Sequence, residues 1–85
     1  MFQLDQALTV LNAKHILAAG LVALRAGQTE FDLARLTQVD SSAVATLLAW
    51  QRAAHESGRT LQFNNMPASL HSLVKLYGVE QMLQA

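Results

Sequence analysis

The stretch Phe31-Asp-Leu-Ala-Arg-Leu-Thr-Gln-Val-Asp-Ser-Ser-Ala-Val44 decides the fold of this chain. It reads as a strand that ends in Val39-Asp40 and runs directly into a helix opened by Ser41-Ser42. A hydroxyl pair just past a strand, at a helix N-terminus, has two uses. It caps the helix, or it presents oxygens to a partner or a phosphate. Asp40 suits the N-cap and the positive end of the helix dipole, with Ser41 and Ser42 in the first turn.

Outward from this junction, strands and helices alternate. Phe2 to Leu4 and Leu8 to Leu11 read as two short strands joined by the turn Asp5-Gln6, an N-terminal hairpin. Asn12 is placed to cap a helix over residues 13–26. A strand over Phe31 to Leu36 precedes a helix over Ser41 to Ser57. A strand over Leu61 to Asn64 follows, then a helix from Pro67 to Tyr77 and one more turn over Val79 to Leu83. Gly27, Gly58 and Gly78 each follow a helical segment, as left-handed C-terminal caps do, and Pro67 stands at a first-turn position. Strand–helix–strand–helix–strand implies βαβ units with parallel neighbours and right-handed crossovers. The expected fold is a single α/β domain: a mixed sheet with an N-terminal hairpin strand, and helices packed mainly on one side. The N-terminal edge strand leaves room for strand exchange.

With 85 residues, the chain makes one core and little more. Its charged share of 14% is low beside the roughly 25% of ordinary domains, which suggests surface reserved for a partner. Six basic and six acidic residues cancel without a basic cluster, so nucleic-acid binding has no electrostatic footing. No Lys/Arg-rich amphipathic segment argues for a membrane surface. The apolar run Ile16 to Leu24 is too short to span a bilayer, and the absence of cysteine removes disulfide and thiolate chemistry. A cytoplasmic domain is the expectation.

On the helix after the hydroxyl pair, advancing about 100° per residue from Val44 places Val44, Leu47, Leu48, Ala43, Ala54 and Trp50 on the arc facing the sheet. The opposite side carries Ser42, Thr46, Ala49 and Ala53, a stripe of small side chains with Trp50 near one edge. Alanine is a good helix former and tolerates exposure, which is one account of the stripe. The other is a docking surface that lets a partner approach closely, built from Asp40, Ser41, Ser42, Thr46, Ala49, Trp50 and Ala53. On that account Thr46→Arg or Ala49→Arg abolishes partner binding and leaves folding intact.

Asp32-Leu33, then Val39-Asp40-Ser41-Ser42, then an apolar helix resemble the STAS domain (sulphate transporter and anti-sigma factor antagonist), whose core is a strand ending in Asp-Ser-Ser/Thr-Gly before a Leu-rich helix. Leu47-Leu48-Ala49-Trp50-Gln51 and Leu73-Val74-Lys75-Leu76-Tyr77-Gly78-Val79 are similar to one branch, the small STAS subunits of Mla-type ABC transporters. Those transporters move phospholipid between the membranes of Gram-negative bacteria. The resemblance implies a cytoplasmic, non-catalytic accessory subunit that binds the transporter's ATPase, with Ser41 at the surface that meets it. It implies no cofactor. In the antagonist branch the second hydroxyl, Ser42 here, accepts a phosphoryl group from an anti-sigma factor kinase. A phosphate there would add nearly two negative charges beside Asp40. The usual glycine after the pair is Ala43, which removes backbone latitude at the helix start.

Other chemistries find little support. His15, His55 and His71 fall on different helices and share no metal-ligand spacing. Ser41 and Ser42 lack a histidine nearby in sequence, and Gly-rich phosphate loops are absent. Lys75-Leu76-Tyr77-Gly78 reads as the end of a core-packing helix, with an added interface role implied by the transporter branch.

Overall fold

Three phenylalanines, Phe2, Phe31 and Phe63, each stand within a short strand, and a strand sends alternate side chains to opposite faces. In the computed structural model, which describes residues 1–83, the order is β1 (Phe2–Gln3), β2 (Ala7–Leu8), α1 (Ala13–Arg25), β3 (Glu30–Asp32), β4 (Gln38–Val39), α2 (Ser41–Glu56), β5 (Gln62–Asn64), α3 (Ala68–Leu76) and α4 (Glu80–Leu83). The α/β class and the alternation of strand and helix are as expected. No helix among the described residues is long and apolar enough to cross a membrane.

The strands pair in the orders β1-β3-β5 and β2-β4. The register sets Phe2 beside Phe31 and Phe31 beside Phe63, so the three rings form one row. Ring centroids lie 4.7 Å apart for Phe2 and Phe31 and 6.3 Å apart for Phe31 and Phe63. The opposite face is polar. The Gln3 amide donates to Asp32 Oδ2 at 3.2 Å, and the Asn64 amide donates to Glu30 Oε1 at 3.1 Å. Helix α2 covers the aromatic face and is flanked by α1, α3 and α4, so the helices do sit mainly on one side.

The N-terminal hairpin does not form. β1 and β2 do not pair with each other; β1 runs parallel to β3 and β2 parallel to β4. Asp5-Gln6 lacks the Gly or Asn chemistry of a tight reversing turn, so it carries the chain onward instead. Its backbone runs along the next segment: Leu4 N–H donates to the Asp32 carbonyl at 3.1 Å, and the Gln6 carbonyl accepts Thr37 N–H at 2.8 Å and Gln38 N–H at 3.1 Å. With the hairpin gone, every strand pairing among the described residues is parallel.

The strand expected over Phe31 to Leu36 is broken for a related reason. Period-two alternation would set Leu36 on the face opposite Leu33. A turn closed by Leu36 N–H to the Leu33 carbonyl at 3.1 Å brings both leucines into the core. β3 and β4 are the two halves of this bent segment.

Trp50 is fully buried on top of the aromatic row. Its ring stands edge-on to Phe31 at 5.0 Å and 82°. Its indole N–H, which a buried Trp must pair, donates to the Leu17 carbonyl of α1 at 3.0 Å. Helix α1 comes this close because residue 20 is glycine; a Cβ there would run into the indole ring. At the far end of α2 the backbone turns at Gly58, whose φ of 72° is left-handed, and Gly27 and Gly78 end α1 and α3 in the same way. One further left-handed residue, Asn65 at φ 58°, joins β5 to α3 and donates its amide to Asp32 Oδ1 at 3.1 Å.

Gly20→Ala tests the closeness of α1 to Trp50. The substitution gains about 1 kcal/mol of helix propensity. Overpacking costs about 1–3 kcal/mol and should exceed that gain because the indole has nowhere to retreat. Urea unfolding should show a lower midpoint at unchanged slope, with altered near-ultraviolet dichroism of the single tryptophan.

Candidate functional site

Because β2 and β4 are parallel neighbours with Leu8 beside Val39, both chains leave the sheet at the same end. Each then enters a helix there, α1 after residues 9–12 and α2 directly through Asp40. Helix N-termini present unpaired N–H groups, and this end of the domain gathers two.

Asp40 is the N-cap of α2, as its position suggested. Its Oδ1 accepts Ser42 N–H at 2.8 Å, and its Oδ2 accepts Val10 N–H at 3.0 Å. The bond from Val10 is the strongest influence holding the Asp40 carboxyl below the ordinary aspartate range. Desolvation opposes it, and the Ser42 and Ala43 contacts reinforce it. Both carboxylate oxygens are engaged by backbone N–H groups, as a helix cap requires.

Asn12 stands at the N-cap of α1 but makes no side-chain cap bond. Instead it closes the preceding turn: Oδ1 accepts Thr9 N–H at 3.0 Å and Nδ2 donates to the Ala7 carbonyl at 2.9 Å. The tip of this turn is Val10-Leu11, exposed by 73% and 93%. These two residues were expected inside a strand. The polar pair Thr9 and Asn12, three apart around two aliphatics, is the signal for a turn with an apolar tip.

The docking stripe expected on α2 divides. Ser41 is exposed, and Asp40, Ser42, Ala49 and Ala53 are half-buried. Thr46 and Trp50 are buried, at 4% and 0% exposure, and belong to the interior. Thr46 donates its hydroxyl to the Ser42 carbonyl at 2.8 Å, and Ala53 faces Leu21 and Leu24 of α1. The buried arc is centred nearer Ala43, Leu47, Trp50 and Ala54 than Val44, because α2 must cover the sheet and meet α1 at once. The outward edge is therefore Ser41, Ala45, Arg52 and Glu56, with Leu48 and Ala49 at its margins. The small residues at Thr46 and Ala53 face the domain's own interior and its own first helix.

His15, His55 and His71 lie exposed on α1, α2 and α3. A groove of about 430 Å³ between α2 and α4 is bordered by Arg52, His55, Arg59, Leu48 and Met82, and it holds neither Ser41 nor Ser42. Asp32, beneath the polar face of the sheet, is held below the ordinary range first by the Asn65 amide and then by Ala34 N–H, against desolvation, with smaller help from Gln3 and Arg35.

Two predictions follow from this placement. Thr46→Arg buries a charge without a partner and should cost at least about 3 kcal/mol. Ala45→Arg on the outward edge should stay within about 0.5 kcal/mol of the parent. Chemical unfolding of both variants checks the rotated face. Because Asp32 and Asp40 have lowered folded pKa values, their stabilisation is complete above the unfolded aspartate value of about 3.9 and drains as pH falls through the folded ones. The thermal midpoint should decline below about pH 4, and this acid limb should be shallower in Asp32→Asn.

Comparison with curated proteins finds no match. A family model described as "Mlab, STAS domain" matches residues 1–84, nearly the whole chain. The Asp-Ser-Ser junction, the parallel strands that feed it and this match together establish that the chain belongs to the STAS domain family.

Proposed function

We propose that this STAS domain is a non-catalytic accessory subunit that docks on the ATPase of an Mla-type phospholipid-transporting ABC complex, in support of outer-membrane lipid asymmetry. Its place would be the cytoplasmic side of the inner membrane. The observation that carries the docking surface is the pairing of an exposed aliphatic tip, Val10-Leu11, with the exposed Ser41 at the start of α2. The Asp40 carboxylate binds Val10 N–H of the tip and Ser42 N–H beside Ser41, and so links the two segments. The choice of an ATPase as partner rests on the Mla character of the matched family.

The proposed surface comprises Val10, Leu11, Ser41, Ala45 and Ala49, with Asp40 and Ser42 engaged with each other at the start of α2. Two large aliphatics left in water beside small residues have the make-up of an interface core, apolar and uncharged. Arg52 and Glu56 then fall at the rim, where charge sets rate and register more than affinity. Leu76 and Tyr77, exposed by 76% and 52% at the end of α3, are a proposed second contact.

The alternative is an anti-sigma factor antagonist phosphorylated at Ser42 by an anti-sigma factor kinase. Here Ser42 is half-buried, its N–H is bound to Asp40, and its hydroxyl lies against the same carboxylate. A phosphate would displace those contacts and set charge against charge. These contacts support the reading in which the exposed Ser41 meets the partner, and they weigh against modification of Ser42.

Leu11→Asp should weaken capture of the ATPase subunit by about 30-fold or more, the scale of a central interface residue, at unchanged thermal midpoint. Ala45→Arg should act in the same direction by blocking close approach. Co-purification with the tagged chain from its native cell, followed by calorimetric titration of the captured ATPase, checks both. Recovery of a serine kinase in place of an ATPase would support the alternative.

A further inference from the structure

The tip Val10-Leu11 is held by hydrogen bonds more than by packing, since both side chains stand in solvent. Five of these bonds are local. Asn12 binds Thr9 N–H and the Ala7 carbonyl, Thr9 Oγ1 accepts Leu11 N–H at 3.3 Å, and the Thr9 carbonyl accepts Asn12 N–H at 3.1 Å and Ala13 N–H at 2.8 Å. One reaches a distant segment: Val10 N–H to Asp40 Oδ2. Capping α2 needs only one acceptor oxygen, and Ser or Asn would cap as well as Asp. A carboxylate supplies two acceptor atoms on one rigid plane, and here they are divided between two elements.

We infer that Asp40 is a positioning residue that locks the apolar tip of the β2–α1 turn to the first turn of α2, so that Leu11 and Ser41 meet the partner as one preformed surface. This rests on the docking reading above. Without the lock, the turn keeps its local bonds, but Val10 loses its hydrogen bond to α2, and the position of the tip against α2 must be fixed at the moment of binding. Ordering costs affinity even where every contact to the partner is kept.

The test uses the full chain with Asp40→Ser and Asp40→Asn. Either residue still caps Ser42 N–H, but neither supplies the second acceptor to Val10 N–H. Amide hydrogen exchange of the free protein should show protection lost at Val10 and kept in the first turn of α2, with the thermal midpoint little changed. Titration with the ATPase subunit should show affinity about fivefold or more weaker. In a double-mutant cycle the loss should be strongly non-additive with Leu11→Ala, because both act through the tip.

Equal Val10 exchange in the parent and both variants overturns the lock. Lost protection with unchanged affinity overturns its part in docking. Losses that simply add to those of Leu11→Ala also overturn it, since Asp40 would then be touching the partner directly. If the parent chain itself fails to bind the ATPase, the docking reading falls and takes that half of the inference with it, while the exchange data still decide the lock.

Discussion

The structure depends on one constraint: the indole of Trp50 must be buried on the phenylalanine row and its N–H must still find an acceptor. A buried N–H without a partner is costly, and in a domain of this size no other contact could easily absorb that cost. The Leu17 carbonyl meets the need, and only a glycine one turn later in α1 lets the helix come near enough. That bond fixes the distance between α1 and α2. It also fixes the rotation of α2, because with Trp50 pointing at Phe31 the solvent edge must run through Ser41, Ala45 and Arg52. The outward face of α2 is thus determined from the core.

The same rotation explains why small residues on α2 mislead when they are taken alone. A stripe without charge signals a covered face, but not what covers it. On this helix Ala53 lines a groove with Leu21 and Leu24 of α1, and Thr46 is buried with its hydroxyl turned back to the Ser42 carbonyl. A helical projection centred on one residue assumes a single packing partner. α2 has a sheet below and a helix beside it, so its buried arc is wider and displaced.

Much of the fold was legible in the sequence because its signals are local. Asp40 caps α2 where the Asp-Ser-Ser run placed it, three glycines end helices with positive φ, and the alternation of elements is as expected. What was not legible is non-local. The course of the chain from β1 to β2 depends on the Gln6 carbonyl meeting Thr37, 31 residues further along the chain, and Gln38 beside it. At the site, Asp40, Ser41 and Ser42 were legible as a motif, whereas Val10 and Leu11 were hidden. An aliphatic pair after Leu8-Thr9 looks like the continuation of a strand until Asn12 is seen to close the turn before it.

Capping and docking were alternatives at the start of α2, and in the proposed reading one arrangement serves both. The carboxylate that satisfies Ser42 N–H also reaches Val10 N–H, so helix start and apolar tip share a single anion. A modification at Ser42 would therefore act on more than its own oxygen. It would compete for the N–H that Asp40 holds and repel the carboxylate that orders the tip. Ser41, next in sequence but outward, is exposed, as the proposed docking surface requires. The two hydroxyls are distinguished by their surroundings: Ser42 is half-buried with its N–H on Asp40, and Ser41 is exposed, so on the proposed reading one belongs to the lock and the other to the surface.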